Sequence, residues 1–225
     1  MSGNARRAAR IKICGLRDAA TIRAMGSLEV DEIGFVFAKS RRQVEPETAA
    51  SLIEEVKQMN QPLGGAPKTV GVFVGASLEQ LRELLAIAPL DVVQLHGDEG
   101  PELCAAIRDE FGKEVWKVFS VSGDDAAGTG HDRLLPYEGR IDAALIDTAG
   151  GGTGQTFGWE VIPRYAASAK TIGVPLYVAG GLHPGNASEL LEQYEVDGVD
   201  VSSGVETDGV KDIEKIRAFV ERVKA

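Results

Sequence analysis

Eight short runs with strand character are spaced along the chain: Ile11–Cys14, Glu32–Phe37, Thr69–Val74, Val92–Leu95, Val115–Phe119, Ala143–Ile146, Pro175–Val178 and Gly198–Val201. Runs this short, rich in Val, Ile and Phe and bounded by glycine, proline or acid, read as buried strands. Between most of them the apolar positions take helical spacing. The clearest helices are Pro46–Met59, which opens with EPETAA; Leu78–Ile87, with Ser77 as its N-cap; Pro101–Phe111; and Val210–Lys224. In Ser120–Arg140 glycine and aspartate crowd out the periodicity, and only a short helix near Asp132–Pro136 is predicted. Strand–helix repetition without a Pro/Gly/Ser-rich linker predicts one parallel sheet in one domain, and eight such units close an α/β single-domain (β/α)8 barrel, the TIM barrel. An open doubly wound sheet is the alternative; no GxGxxG fingerprint follows the first strand.

Parity then sorts the side chains, since residues two apart on a barrel strand share a face. Ile11 and Ile13 are predicted to face the helices, which turns Lys12 and Cys14 inward. By the same alternation Gln94 and His96, Leu145 and Asp147, and Asp200 and Ser202 face the interior. The polar members gather at the carboxyl ends of the strands, where barrels of this kind place their active sites.

Composition narrows the ligands. In 225 residues the apolar fraction is 44%, ample for a core, and the formal net charge is −10. A negative chain is poorly suited to nucleic acid or an anionic membrane, so neither is expected as a partner, and any anionic ligand must be held by local positive groups. No apolar run approaches a membrane span, and a cytoplasmic protein is expected. Cys14 and Cys104 lie far apart, and His96, His131 and His183 are scattered without ligand spacing, so no metal and no cofactor are expected.

The candidate chemistry lies at the strand ends. Asp147, at the end of an apolar run, is followed by the glycine loop of LIDTAGGGTGQTFGW, a carboxylate under a lid. Cys14 at the first strand's rim is a base, a nucleophile or a small buried hydrophobe, whereas Cys104 in PELCAAIRDEF is packing. Gly180 and Gly181 after the seventh strand, with Ser202, Ser203 and Gly204 after the eighth, are ordinary turns or the phosphate site usual in those two loops. Lys39, Arg41 and Arg42 in FAKSRRQV are a solvated surface or a carboxylate clamp. His96 and Gln94 fit a hydrogen-bonding role in the rim as well as ligand contact, and Asp200 orients backbone and serine hydroxyls or meets the ligand.

Taken in order, KICG, GFVFAKSRR, VGVFV, VQLHGDE, the Asp147–Trp159 segment, VAGGLHPGN and VDVSSGVE resemble the phosphoribosylanthranilate isomerase family of tryptophan biosynthesis, from Lys12 to about Glu206. The resemblance implies Cys14 as general base, Asp147 as general acid and Arg42 as the arginine for the anthranilate carboxylate. It also implies phosphate contacts at Gly180, Gly181, Ser202 and Ser203, with Asp200 nearby; the inward-facing Lys12, His96 and Asp200 are the further candidates for substrate contact. The implied reaction is an Amadori rearrangement of N-(5-phosphoribosyl)anthranilate to the carboxyphenylamino-deoxyribulose phosphate, a small phosphosugar substrate, by a monomer or homodimer. A thiol is mostly protonated at neutral pH, so the site is expected to lower its pKa, with Lys12 as one source of positive potential, or to draw on the bound substrate. FAKSRR is one residue shorter than the family's FYPKSxR form, Gly158 replaces an aspartate and His183 an asparagine. Residues 1–8 form an N-terminal extension outside the resemblance, and 9–225 the catalytic barrel. A sibling phosphosugar barrel of the histidine pathway uses aspartates on two strands, whereas the first strand here ends in Cys14. Indoleglycerol phosphate synthase needs a lysine and glutamate set not found at these strand ends. A regulatory, noncatalytic phosphate-binding barrel would favour loss of Cys14 or Asp147, and both are present.

Overall fold

The computed structural model describes residues 9–60, 62, 64–121, 130–148 and 157–225. The N-terminal extension 1–8 and most of the glycine loop, residues 149–156, lie outside them.

Eight parallel strands pair in sequence order and close: β1 (Arg10–Cys14), β2 (Glu32–Val36), β3 (Lys68–Phe73), β4 (Val92–Leu95), β5 (Glu114–Val121), β6 (Ala143–Thr148), β7 (Leu176–Val178) and β8 (Gly198–Val201). Closure comes from β1 against β8, in the register Ile11↔Val199 and Lys12↔Asp200. Around the barrel run α1 (Ala19–Ala24), α2 (Pro46–Lys57), α3 (Leu78–Ile87), α4 (Pro101–Phe111), α5 (Ile162–Thr171), α6 (Ala187–Gln193) and α7 (Ile213–Lys224).

Local sequence explains the boundaries. Ser77 and Gln80 form a reciprocal capping box at the start of α3. Pro101 opens α4, and Gly112 closes it at φ 60, a conformation that favours glycine. At the barrel's amino-terminal end one device recurs four times. Asp31, Asp91, Asp142 and Asp197, each just ahead of an even-numbered strand, accept 2.8 Å hydrogen bonds from the backbone N–H groups of Ile11, Thr69, Val115 and Leu176 near the start of the preceding strand. Each aspartate satisfies a strand-end donor and pins neighbouring strands in register.

Alternation divides the core as the pattern predicts. Ile11, Ile13, Val93, Leu95, Ile146, Val199 and Val201 pack outward with the helices, whereas Val70, Val92, Trp116, Val118, Leu145 and Tyr177 fill the barrel. Trp116 and Tyr177 meet at 4.7 Å between ring centroids. Gly198 leaves room for the Tyr177 ring, since a Cβ there would sit 2.4 Å from it.

Two elements differ from expectation. The final helix begins at Ile213 rather than Val210, because Val210–Lys211 (β10) pairs antiparallel with Glu206–Thr207 (β9), and Asp212 caps the helix through Glu214 and Lys215 N–H. Apolar periodicity cannot see a two-residue hairpin that leads into a helix. Between β5 and β6 the segment Gly130–Tyr137 is a 3-10 helix containing Pro136, longer and tighter than the short helix expected.

Candidate active site

Strand β1 carries Lys12 and Cys14 on its inner face, one above the other. Lys12 is fully buried, and its Nζ donates to Asp200 Oδ1 on β8 at 3.0 Å, a contact set by the β1–β8 register. Asp200's charge holds the Lys12 ammonium above its ordinary pKa despite burial, so Lys12 stays cationic. Above this pair, Cys14 stands at the mouth. Burial pushes its thiol up, while the positive charges of Lys12 and Lys211 pull it down. The net effect is a raised pKa rather than the lowered one that was the first of the two expectations for this thiol: desolvation of the thiolate, with the negative charge of Asp200, outweighs two nearby cations.

Asp147 ends the inner face of β6 and lies within the strand rather than beyond it. Burial, reinforced by the charge of Asp200, pushes its carboxyl up to about 6, against the opposing pull of the Thr148 N–H and Lys12. Its Oδ1 is buried and has no hydrogen-bond partner among the described residues. Gly180 must be glycine here: it stands at φ 86, and a Cβ would lie 2.9 Å from Asp147 Oδ1 and closer still to Thr148 Oγ1. His96 Nε2 approaches Asp147 Oδ2 at 3.5 Å, and burial lowers the His96 pKa, so a neutral imidazole faces the acid.

Cys14, His96, Asp147 and Asp200 share one cavity of about 380 Å³, lined also by Lys39, Arg42, Gln94 and Ser202, whereas Lys12 is buried outside its lining. Ser202 donates from Oγ to the Cys14 carbonyl at 3.0 Å. Gly180, Gly181 and Ser203 stand outside the lining. They belong to the adjoining loops after β7 and β8, which approach so closely that a Cβ on Gly204 would collide with the Leu182 carbonyl.

The basic cluster divides sharply. Arg42 is buried and reaches the cavity, Lys39 is exposed at its edge, and Arg41 is exposed and outside its lining. The Arg42 side chain packs over Gly15, whose φ of 82 and lack of a Cβ admit Arg42 Cδ. Cys104 lies fully buried in α4 within the outer core, its thiol pushed up to about 11, in keeping with a packing role. His183 Nδ1 accepts from the Gly185 N–H and shapes the loop after β7.

Sequence reasoning assigned nothing to Glu206 and Lys211, which the β9–β10 hairpin sets opposite each other beside Arg42. Glu206 closes the VDVSSGVE motif, so its place was visible, but a charged pair beyond the last strand reads as solvated surface. Among the described residues no group of three or more His, Cys, Asp or Glu is placed to hold a metal ion, and no helix is long and apolar enough to cross a membrane.

A closed parallel barrel with a thiol, a raised carboxyl and a buried arginine around one mouth defines a (β/α)8-barrel enzyme equipped for acid–base work on an anionic ligand. The family model for N-(5'phosphoribosyl)anthranilate (PRA) isomerase matches residues 11–222, and the chain belongs to that family. It is 45% identical over 220 residues to the N-(5'-phosphoribosyl)anthranilate isomerase of Brevibacillus brevis, covering 96% of this chain and 94% of the relative, and 39% identical to that of Geobacillus thermodenitrificans over the same shares. Among solved structures, phosphoribosyl anthranilate isomerase from Thermotoga maritima superposes with a TM-score of 0.78 at 31% identity, covering 96% of this chain and 98% of that one. Another is a phosphoribosyl anthranilate isomerase in complex with reduced 1-(o-carboxyphenylamino)-1-deoxyribulose 5-phosphate, with a TM-score of 0.76, 31% identity and the same coverage. A third describes monomers generated from a dimeric Thermotoga maritima enzyme.

Proposed function

We propose that this chain isomerises N-(5-phosphoribosyl)anthranilate to 1-(2-carboxyphenylamino)-1-deoxyribulose 5-phosphate in tryptophan biosynthesis, with Asp147 as general acid and Cys14 as general base. The observation that carries the reading is the pairing in one cavity of a carboxyl raised to about 6, with an oxygen left unpartnered, and a rim thiol. A carboxyl so placed keeps a proton to give near neutrality.

The steps balance as proton transfers. Asp147 protonates the ribose ring oxygen as the C1–O bond breaks, and the anilino nitrogen lone pair forms the Schiff base. The iminium acidifies the C2 proton, which Cys14 takes as a thiolate. The C2–H electrons form the C1=C2 bond of an enolamine, whose tautomerisation yields the ketone. Because the thiol is raised rather than lowered, its thiolate is scarce but strongly basic.

Arg42 grips the anthranilate carboxylate with its planar donors. The loops of Gly180, Gly181, Ser202 and Ser203 hold the phosphate, with Lys12 and Asp200 beneath the reacting carbons and His96 beside the acid. The reaction calls on no cofactor or metal, and we place it in the cytoplasm, in a monomer or homodimer. Addition of the purified chain to phosphoribosylanthranilate tests the reading: the substrate's anthranilate fluorescence should vanish, and a signal that stays constant excludes the assignment.

A further inference from the structure

The proposed chemistry leaves a buried ion cluster beside it without a part. The Glu206 side chain is almost fully buried, and its carboxylate is saturated with cations. Oε1 accepts from Arg42 Nε at 2.7 Å and from Lys211 Nζ at 2.9 Å, and Oε2 from Arg42 Nη2 at 3.1 Å and Arg41 Nη2 at 2.7 Å. Hydrogen bonds from Arg42 and Lys211 hold the carboxyl down at about 2 despite burial, so it stays charged at any working pH.

The cluster is built across the chain rather than within one element. Arg42 comes from the loop after β2, Glu206 from β9 and Lys211 from β10, with Glu206 and Lys211 in direct register. Lys211 is itself buried and donates to the Ser202 carbonyl at 2.8 Å and to its Oγ at 3.3 Å. Ser202 in turn lines the cavity and donates to the Cys14 carbonyl. One carboxylate thus joins the arginine at one side of the cavity to the loop after β8 and, through it, to the strand that bears the thiol.

An arginine side chain is long, and its grip on a planar anion depends on the orientation of its fork. Glu206 takes Nε and Nη2 together, which fixes the guanidinium plane and leaves the Nη1 edge over. We infer that Glu206 is a positioning residue for the substrate: it holds Arg42 ready for the carboxylate and, through Lys211 and Ser202, sets the span between the carboxylate and phosphate ends. This rests on the function proposed above. Glu206 touches no reacting atom, so its loss should be felt in ligand affinity far more than in turnover.

The test uses the full chain and, as probe, reduced 1-(o-carboxyphenylamino)-1-deoxyribulose 5-phosphate, which binds without reacting. Calorimetry gives its Kd for the wild type, Glu206→Gln, Arg42→Ala and the double variant, and steady-state assays give kcat and KM. Glu206→Gln should raise Kd and KM roughly tenfold and leave kcat within about threefold. In the Arg42→Ala background the same change should add less than about twofold, because the group it orients is gone. An unchanged Kd, or the same factor in both backgrounds, overturns the inference, since a merely structural glutamate has no reason to couple to Arg42. If Glu206→Gln does not fold, Glu206→Asp, with the charge kept and the reach shortened, should show the same coupling to Arg42, and its absence is equally fatal. A wild type that binds the probe without turning over substrate sinks the proposed function and leaves the inference readable. One that does neither sinks both.

Discussion

Asp147→Asn combined with a pH profile probes the acid–base pair directly. In the wild type the acid sits at about 6 and the thiol above its ordinary value. The productive form, carboxyl protonated and thiol ionised, is therefore the minor partner of the carboxylate–thiol form. Even with the thiol at an ordinary ~8.5, that form would be roughly 1 in 300 molecules, and burial makes it rarer. Both forms carry one proton, so their ratio does not change with pH. The kcat/KM of the wild type should thus be flat from about pH 6 up to the thiol's raised pKa. Below 6 it should fall as the thiol-bearing form takes up a second proton, and above the thiol's pKa it should fall as the last proton leaves. With asparagine at 147 only the thiolate matters, so the profile should climb about tenfold per pH unit across the wild-type plateau, with kcat near neutrality two to four orders of magnitude lower. Initial rates followed by anthranilate fluorescence in constant-ionic-strength buffers give both curves, and substrate ionisations, common to the two proteins, drop out of the comparison. A wild type that climbs tenfold per unit from pH 6 to 8, or an asparagine variant that keeps the plateau, refutes the assignment of the acid.

Arg42→Ala should weaken substrate binding by roughly 1.5–3 kcal/mol, and exposed Arg41→Ala much less; equal small effects return the cluster to the status of surface charge. Dialysis against a strong chelator should leave turnover intact, and a collapse reversed by a divalent ion contradicts the cofactor-free chemistry. At the barrel's other end, Glu32 is buried beside Arg10 and Tyr177, and burial pushes its carboxyl up to about 7. A carboxyl raised on folding binds its proton more tightly in the native state, so its contribution should make stability fall as pH rises from about 4.3, the ordinary glutamate value, to about 7. Denaturant unfolding at steps of pH should show a shallower decline in Glu32→Gln, and parallel curves for the two proteins rule this out.

Most of the barrel was legible because its signal is local. Buried parallel strands are mostly apolar on both faces, so Lys12, Cys14, Gln94, His96, Asp147 and Asp200 stood out against their neighbours, and pleat parity put them on the inner side. What stayed hidden depends on partners distant in sequence. The hairpin at Glu206–Thr207 and Val210–Lys211 has no periodicity to detect, and it is what turns Glu206 into a buried partner of both Arg42 and Lys211. The same limit applies to Cys14: its spacing from Lys12 suggested a lowered pKa, but the balance is decided by burial, which no spacing reveals. The separation of Arg42 from Arg41 likewise follows from packing over Gly15 and was undecided in the bare RR pair.

The most direct measurement of the central claim is the turnover of Cys14→Ser beside the wild type on phosphoribosylanthranilate, with circular dichroism to establish that both are folded. A serine hydroxyl fills the same space but is several pKa units too weak an acid to supply the base, so kcat should fall by about two to four orders of magnitude with substrate affinity largely kept. A folded Cys14→Ser protein that extinguishes the fluorescence at close to the wild-type rate would mean that another group takes the C2 proton, and the account of the chemistry would be wrong.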